Sequence, residues 1–242
     1  MRCVTSNTLV IGAGVFDIYL GQGWIPEFKR KTGDLDLSIG LLNDSSDYKT
    51  VREALLGFSY TQPDTELKYR FFPPQKAIPG AIAYVDLLAH PLTSEVTAAQ
   101  ARATMGAGPE FSFGAINFAL KESFKIEQKI FFPNPIAFIA LKIRSYEDES
   151  NKRLKDLADI AELVWGLVER GTHFKMADLW KKIESDPEAG YVCRMLSDLG
   201  SGNSPKWDLE DIRSELRGRL FSNTEIDEVI PQRLKELVEY LR

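Results

Sequence analysis

Short apolar runs broken by glycine, proline and polar residues fill the first half of the chain, and longer stretches at helical spacing fill the second. Residues 8–11 form an apolar run too short for a helix, which predicts a strand. Gly12-Ala13-Gly14 follows as a turn, and residues 15–20 predict a short helix with Phe16, Tyr19 and Leu20 on its apolar side. Residues 21–33 read as a Gly/Pro/basic loop. In residues 35–41 the period is two, with Leu35, Leu37 and Ile39 sharing a face, so a second strand is expected there.

The pattern continues with an amphipathic helix over 48–56 and strands over 67–72 and 81–88, the latter two separated by a Pro-rich turn. A helix is expected over 94–105, a break at 106–109, and one or two more strands over 116–120 and 124–132. From Pro133 the character changes. Pro133-Asn134-Pro135 is a helix-start signal, and residues 136–146 continue at helical spacing. A long helix is expected over 151–169, where Leu154, Leu157, Ala161, Val164 and Val168 make a stripe suited to burial and Trp165 is expected to pack between the two halves. Three or four short helices complete the chain, and no internal repeat is present. The expected fold is α+β: a mixed β-sheet core flanked by helices over residues 1–132, then a helical domain over 133–242.

Composition narrows the chemistry. The 242 residues carry 30 Lys+Arg against 35 Asp+Glu, a net charge of −5, which disfavours a wholly basic nucleic-acid binder while allowing a local basic patch. Cys3 and Cys193 are the only cysteines and His90 and His173 the only histidines. A disulfide framework, a Cys-rich zinc site and a multi-histidine metal cage are thereby excluded. Any chemistry leans on carboxylates and lysines. The apolar run over 9–16 spans only about eight residues, Asp17 interrupts it, no small-residue cleavage site follows it, and no run reaches the roughly 18 apolar residues of a membrane helix. A soluble cytoplasmic protein is expected.

The sharpest chemical signal is Thr32-Gly33-Asp34-Leu35-Asp36-Leu37. In a strand Asp34 and Asp36 project to one face while Leu35 and Leu37 go to the other. Two such carboxylates repel unless a cation intervenes, and Mg²⁺ or Mn²⁺ suits an oxygen-only pair. Asp86 stands alone in an apolar stretch, where a charge is costly unless paired or coordinating. If the two strands are neighbours, three carboxylates converge as a metal site for in-line phosphoryl chemistry. The bland alternative makes Asp34 a strand-entry residue, Asp36 a solvated acid and Asp86 a salt-bridged one. A dinucleotide-binding reading of the Gly12–Gly14 turn fits poorly, because Asp17 stands where the third glycine belongs and Asp34 opens a strand rather than ending one. A dinucleotide-dependent oxidoreductase is the weaker alternative.

The order Val10-Ile11-Gly12-Ala13-Gly14, then Arg30-Lys31-Thr32-Gly33-Asp34-Leu35-Asp36-Leu37, resembles the nucleotidyltransferase superfamily. It is most similar to the branch that includes the AbiEii toxins of type IV toxin–antitoxin systems. Ala140-Leu141-Lys142-Ile143-Arg144 and Lys152-Arg153-Leu154-Lys155-Asp156-Leu157-Ala158-Asp159-Ile160 extend the likeness to about residue 170, and the remainder matches no signature. The resemblance implies transfer of a nucleoside monophosphate from an NTP to an acceptor, which is RNA such as a tRNA end, a protein hydroxyl or a small molecule, with an antitoxin protein as a further partner. It implies that Asp34, Asp36 and Asp86 ligate Mg²⁺ or Mn²⁺, with Asp86 also helping to deprotonate the acceptor. Lys142, Lys152 and Lys155 would neutralise the triphosphate and Asp156 would orient one of these lysines or reach the nucleotide. Gly12, Ala13, Gly14 and Thr32 would line the phosphates, beside a basic rim of Lys29, Arg30 and Lys31. The chain departs from the pattern at Ala13, where Gly or Ser is usual, and in a longer gap before Asp34. A degenerate, non-catalytic nucleotide- or partner-binding member is therefore the alternative. Read without the resemblance, Lys152–Asp156 and Lys155–Asp159 are ordinary i,i+4 helix pairs.

Overall fold

The computed structural model describes residues 8–29, 33–42, 45–63, 68–74, 83–93, 95–106, 114–127, 129–148, 153–201 and 209–241. The chain divides into two compact units. The first holds residues 1–15 and 32–134, the second residues 16–31 and 135–242. The fold is α+β, with the strands in the first unit and the later helices in the second.

The first unit is built on a six-stranded mixed open sheet. Its strands are β1 (Thr8–Ile11), β2 (Asp34–Leu41), β3 (Arg70–Phe71), β4 (Tyr84–Pro91), β5 (Ser123–Glu127) and β6 (Ile130–Pro133), in the order β3-β4-β2-β1-β6-β5. β2 and β4 pair in parallel, β1 runs antiparallel to β2 and parallel to β6. Parallel neighbours need a crossover, and α2 (Ser46–Gly57) lies in the connection between β2 and β4. Leu35, Leu37, Ile39 and Leu41 of β2 join Val85, Leu87 and Ala89 of β4 in one apolar layer. That layer packs against Tyr48, Val51 and Leu55 of α2 and against Ala101 and Met105 of α3 (Ala98–Met105). Thr97 starts α3 with a reciprocal capping box to Gln100. By alternation, the other face of these two strands carries Asp34, Asp36 and Ser38 beside Tyr84, Asp86 and His90.

One expected strand is a helix. Residues 116–120 lie inside α4 (Gly114–Lys121), which buries Ala115, Ile116, Phe118 and Ala119. A five-residue apolar run suits either state, and here the neighbouring Ala115 and Lys121 extend it to two helical turns.

The second unit is helical. It contains most of α1 (Val15–Gly21), then α5 (Pro135–Asp148), α6 (Leu154–Glu169), α7 (His173–Ile183), α8 (Pro187–Ser201), α9 (Leu209–Gly218) and α10 (Ile230–Tyr240), the last entered through a π-helical turn at Glu225–Val229. Residues 16–31 belong here because their aromatics pack here: Phe16 stacks on Phe28, and both Phe16 and Tyr19 meet Phe138 edge-on. Trp165 likewise meets Phe221 edge-on within this unit. No helix among the described residues is long and apolar enough to cross a membrane.

Candidate functional site

Asp34 and Asp36 stand two residues apart on β2, so both project from the face opposite the Leu35/Leu37 layer. Both are half-buried. The parallel register sets Asp36 directly beside Asp86 and Asp34 beside Tyr84, which brings the acids of β2 and β4 to one patch on one face.

The turn after β1 closes over this patch. Gly12 has φ +70, a left-handed conformation that favours glycine, and the Val15 N–H reaches back to its carbonyl at 3.4 Å. Glycine is required for a second reason. A β-carbon at position 12 would come within 2.7 Å of Asp36 Cγ and closer still to Oδ2. Ala13 is buried, and Gly14 lies over Leu35 and the Asp34 carbonyl. The turn and the Asp-x-Asp strand are therefore one assembly, and Gly12 is the point at which they touch.

Asp86 has a partner that the sequence reading missed. Arg70 on β3 donates from Nε to Oδ1 and from Nη2 to Oδ2, both at 2.7 Å, a bidentate fork. The antiparallel register of β3 and β4 places the two residues opposite each other. The hydrogen bonds to Asp86 hold the Arg70 guanidinium above its ordinary pKa. Its Cζ lies over the Tyr84 ring, 3.8 Å from the ring centre, and the Tyr84 hydroxyl donates to Asp34 Oδ2 at 3.3 Å. Burial, followed by the Asp34 charge, raises the Tyr84 phenol. Asp86, Arg70, Tyr84 and Asp34 thus form a continuous chain of contacts. The available signal was a lone cation in the aromatic stretch Tyr69-Arg70-Phe71-Phe72 matching a lone acid in an apolar one.

Farther along the same face Ser38 Oγ and His90 Nδ1 lie 2.7 Å apart, both wholly buried, and His90 Nε2 is buried with no hydrogen-bond partner among the described residues. Burial lowers the imidazole pKa to about 4, so this histidine is neutral at physiological pH.

The lysine motifs lie in the second unit. Lys142 on α5 is buried and its ammonium reaches Asp156 at 2.8 Å and Asp159 at 2.6 Å. Asp156 is also held by Arg153 at 2.6 Å, and Arg219 bridges Asp159 at 2.8 Å and Glu162 at 3.0 Å. Three acids on one face of α6 are matched by three cations drawn from α5, the entry to α6 and the end of α9. Burial pushes the Asp156 carboxyl up, and Lys142 and Arg153 together outweigh it, leaving a pKa of about 2. Lys155 is exposed, and its carbonyl accepts from Arg219 Nη2 at 2.9 Å. Lys29 reaches Glu225 at 3.1 Å and lies over the Phe221 ring. Thr32, Lys152, Arg30 and Lys31 lie outside the described residues.

The donor chemistry separates the three strand acids. Asp34 and Asp36 are oxygen-only, half-buried neighbours that suit a hard divalent cation. Asp86 has both oxygens engaged by Arg70 and adds no third ligand in this geometry. Among the described residues no group of three or more His, Cys, Asp or Glu is gathered to hold a metal ion. Compared with protein-family models, with curated proteins and with solved structures, the chain matches none.

Proposed function

We propose that the chain is a nucleotidyltransferase that uses Asp34 and Asp36 with the Gly12–Gly14 turn to hold a metal-bound NTP. The observation that carries the reading is the contact of Gly12 with the Asp36 carboxylate. It joins a backbone turn able to approach phosphate closely to the acid pair that suits the counter-cation. A Mg²⁺ or Mn²⁺ ion there would supply charge neutralisation for the triphosphate. The acceptor oxygen bonds to the α-phosphorus, the bond to the bridging oxygen breaks, pyrophosphate leaves, and the acceptor proton passes to water. Asp34 and Asp36 orient the donor. Tyr84 fixes Asp34 by its hydroxyl, and the Arg70 guanidinium lies over the Tyr84 ring. The reading gives Lys142 and Asp156 the task of framing the helical unit, since each already meets opposite charge at 2.8 Å.

The test is label transfer from α-³²P-NTPs to a cell extract and to the protein itself. The wild type labels an acceptor and Asp36→Asn does not, while both melt at similar temperatures. A second reading, a nucleotide-binding member without activity, is favoured by one observation, the commitment of Asp86 to Arg70. It predicts metal-dependent NTP binding with no transfer to any acceptor.

A further inference from the structure

On the other face of the first unit's sheet, α2, α3 and the turn before β3 enclose an open cavity of about 440 Å³, within the size range of small-ligand sites. It is separate from the Asp34/Asp36 patch, because α2 and α3 pack on the Leu35/Leu37/Ile39 layer, from which those acids point away. Three cations line it: Lys49 and Arg52 from α2, and Lys68 from the turn. Among the described residues no Asp or Glu lines it. Among the described residues none of the three cations has a carboxylate partner.

The arrangement is built rather than incidental. Arg52 Nη2 donates to Gln62 Oε1 at 2.6 Å, and Gln62 Nε2 donates to the Lys68 carbonyl. A neutral amide therefore ties the two cationic segments together, and among the described residues no carboxylate neutralises the guanidinium. Gly106, at φ +84, ends α3 where a β-carbon would come within 2.9 Å of Lys68 Cβ and Cδ. Its lack of a side chain lets the Lys68 stem lie across the end of the helix. Ser45, the N-cap residue of α2, lies one turn before Lys49, and it makes no side-chain cap, so its hydroxyl is not spent on the first turn. Tyr48 is anchored below through its hydroxyl to the Leu87 carbonyl at 3.0 Å, which fixes this face of α2 against the sheet. In a protein of net charge −5, three cations gathered around one cavity, with no acid among its described lining residues, favour the entry of an anion.

We infer that this cavity is a phosphate-binding site, distinct from the proposed transfer site, taking the phosphate group of a small phosphomonoester or of a polynucleotide. Lys49, Arg52 and Lys68 supply the charge, and the guanidinium face not used by Gln62 supplies directional donors. The inference goes beyond the nucleotidyltransferase reading and does not depend on it.

The experiment titrates the full chain by calorimetry with inorganic phosphate, with AMP in EDTA, and with a short single-stranded RNA lacking a terminal phosphate. Each is repeated on Lys49→Glu/Lys68→Glu, which changes two exposed side chains, and on Asp36→Asn. Phosphate or AMP binding that weakens at least about tenfold in the double variant and is unchanged in Asp36→Asn supports a phosphomonoester site. Tighter RNA binding, with a salt dependence that falls in the double variant, supports a polynucleotide source. Loss of binding in Asp36→Asn with none in the double variant assigns the phosphate to the other site and overturns the inference. No binding of any probe to the wild type, or equal binding in both proteins, overturns it as well. Arg52→Gln, which retains an amide-compatible donor to Gln62, must weaken binding in the same direction, and circular dichroism confirms that each variant is folded.

Discussion

Gly12 and Asp36 occupy adjoining space so closely that a β-carbon on the glycine would fall within 2.7 Å of the Asp36 Cγ. The turn after β1 and the acid strand β2 are therefore mutually defining. A change at position 12 acts on the carboxylate without altering it chemically. Gly12→Ala combines a strained φ of +70 with this clash. It is expected to cost about 2–4 kcal/mol in urea denaturation and to impair NTP binding as much as Asp36→Asn does. Wild-type stability and binding in Gly12→Ala would separate the turn from the site.

The Arg70–Asp86 fork gives a second expectation. Asp86 is 11% and Arg70 24% exposed at the side chain, so truncating Arg70 strands a largely buried carboxylate. Arg70→Met should destabilise by about 2–4 kcal/mol, and Arg70→Met/Asp86→Leu should regain most of it, because an apolar pair replaces an ionic one at little net cost. Additive losses in the double-mutant cycle would contradict the pairing.

Acid sensitivity follows from His90. Its pKa falls from 6.5 to about 4 on burial. The unfolded chain therefore takes up a proton before the folded one does. Stability is unaffected above pH 6.5, declines as the pH falls from there, and levels off below about pH 4. The full loss is about 3 kcal/mol. His90→Gln should flatten this limb in denaturation curves at pH 7, 5.5 and 4.5. An unchanged limb would show that the histidine is not its source.

Lys142 sits between Asp156 and Asp159, and Lys142→Met leaves two buried acids short of positive charge. The expected loss is about 3–5 kcal/mol at neutral pH. Asp156 has its pKa depressed from 3.8 to about 2, so its stabilising share is complete above pH 3.8 and vanishes as the pH falls through 2. The gap between wild type and Lys142→Met should accordingly narrow in acid. A gap constant with pH would place the effect in packing.

The alternation of Asp34, Leu35, Asp36 and Leu37 was enough to place both acids on one face, because a strand's period is local. The neighbour relation of Asp36 and Asp86 is a matter of sheet register across 50 residues, and the sequence reading raised it only as a condition. Arg70 escaped notice for the same reason: its partner lies on another strand. The acids of α6 carry a different lesson. Lys152 and Lys155 at helical spacing pointed to surface pairs, yet Leu157, Ala158, Ile160, Ala161, Leu163 and Val164 bury nearly every face of this helix. Asp156, Asp159 and Glu162 are buried with it, and their partners include Lys142 and Arg219, remote in sequence. Residues 16–31 joined the helical unit through Phe16 and Tyr19 against Phe138, a contact that no local pattern encodes.

The central claim is that Asp34 and Asp36, beneath the Gly12 turn, hold an NTP through a divalent cation. Calorimetric titration of the four NTPs into wild type and Asp36→Asn, each in Mg²⁺ and in EDTA, tests it most directly. The account predicts that at least one NTP binds the wild type in Mg²⁺ only, and that Asp36→Asn weakens this binding by about tenfold or more, equivalent to about 1.4 kcal/mol. Equal binding with and without the metal, or equal binding by the two proteins, would contradict it.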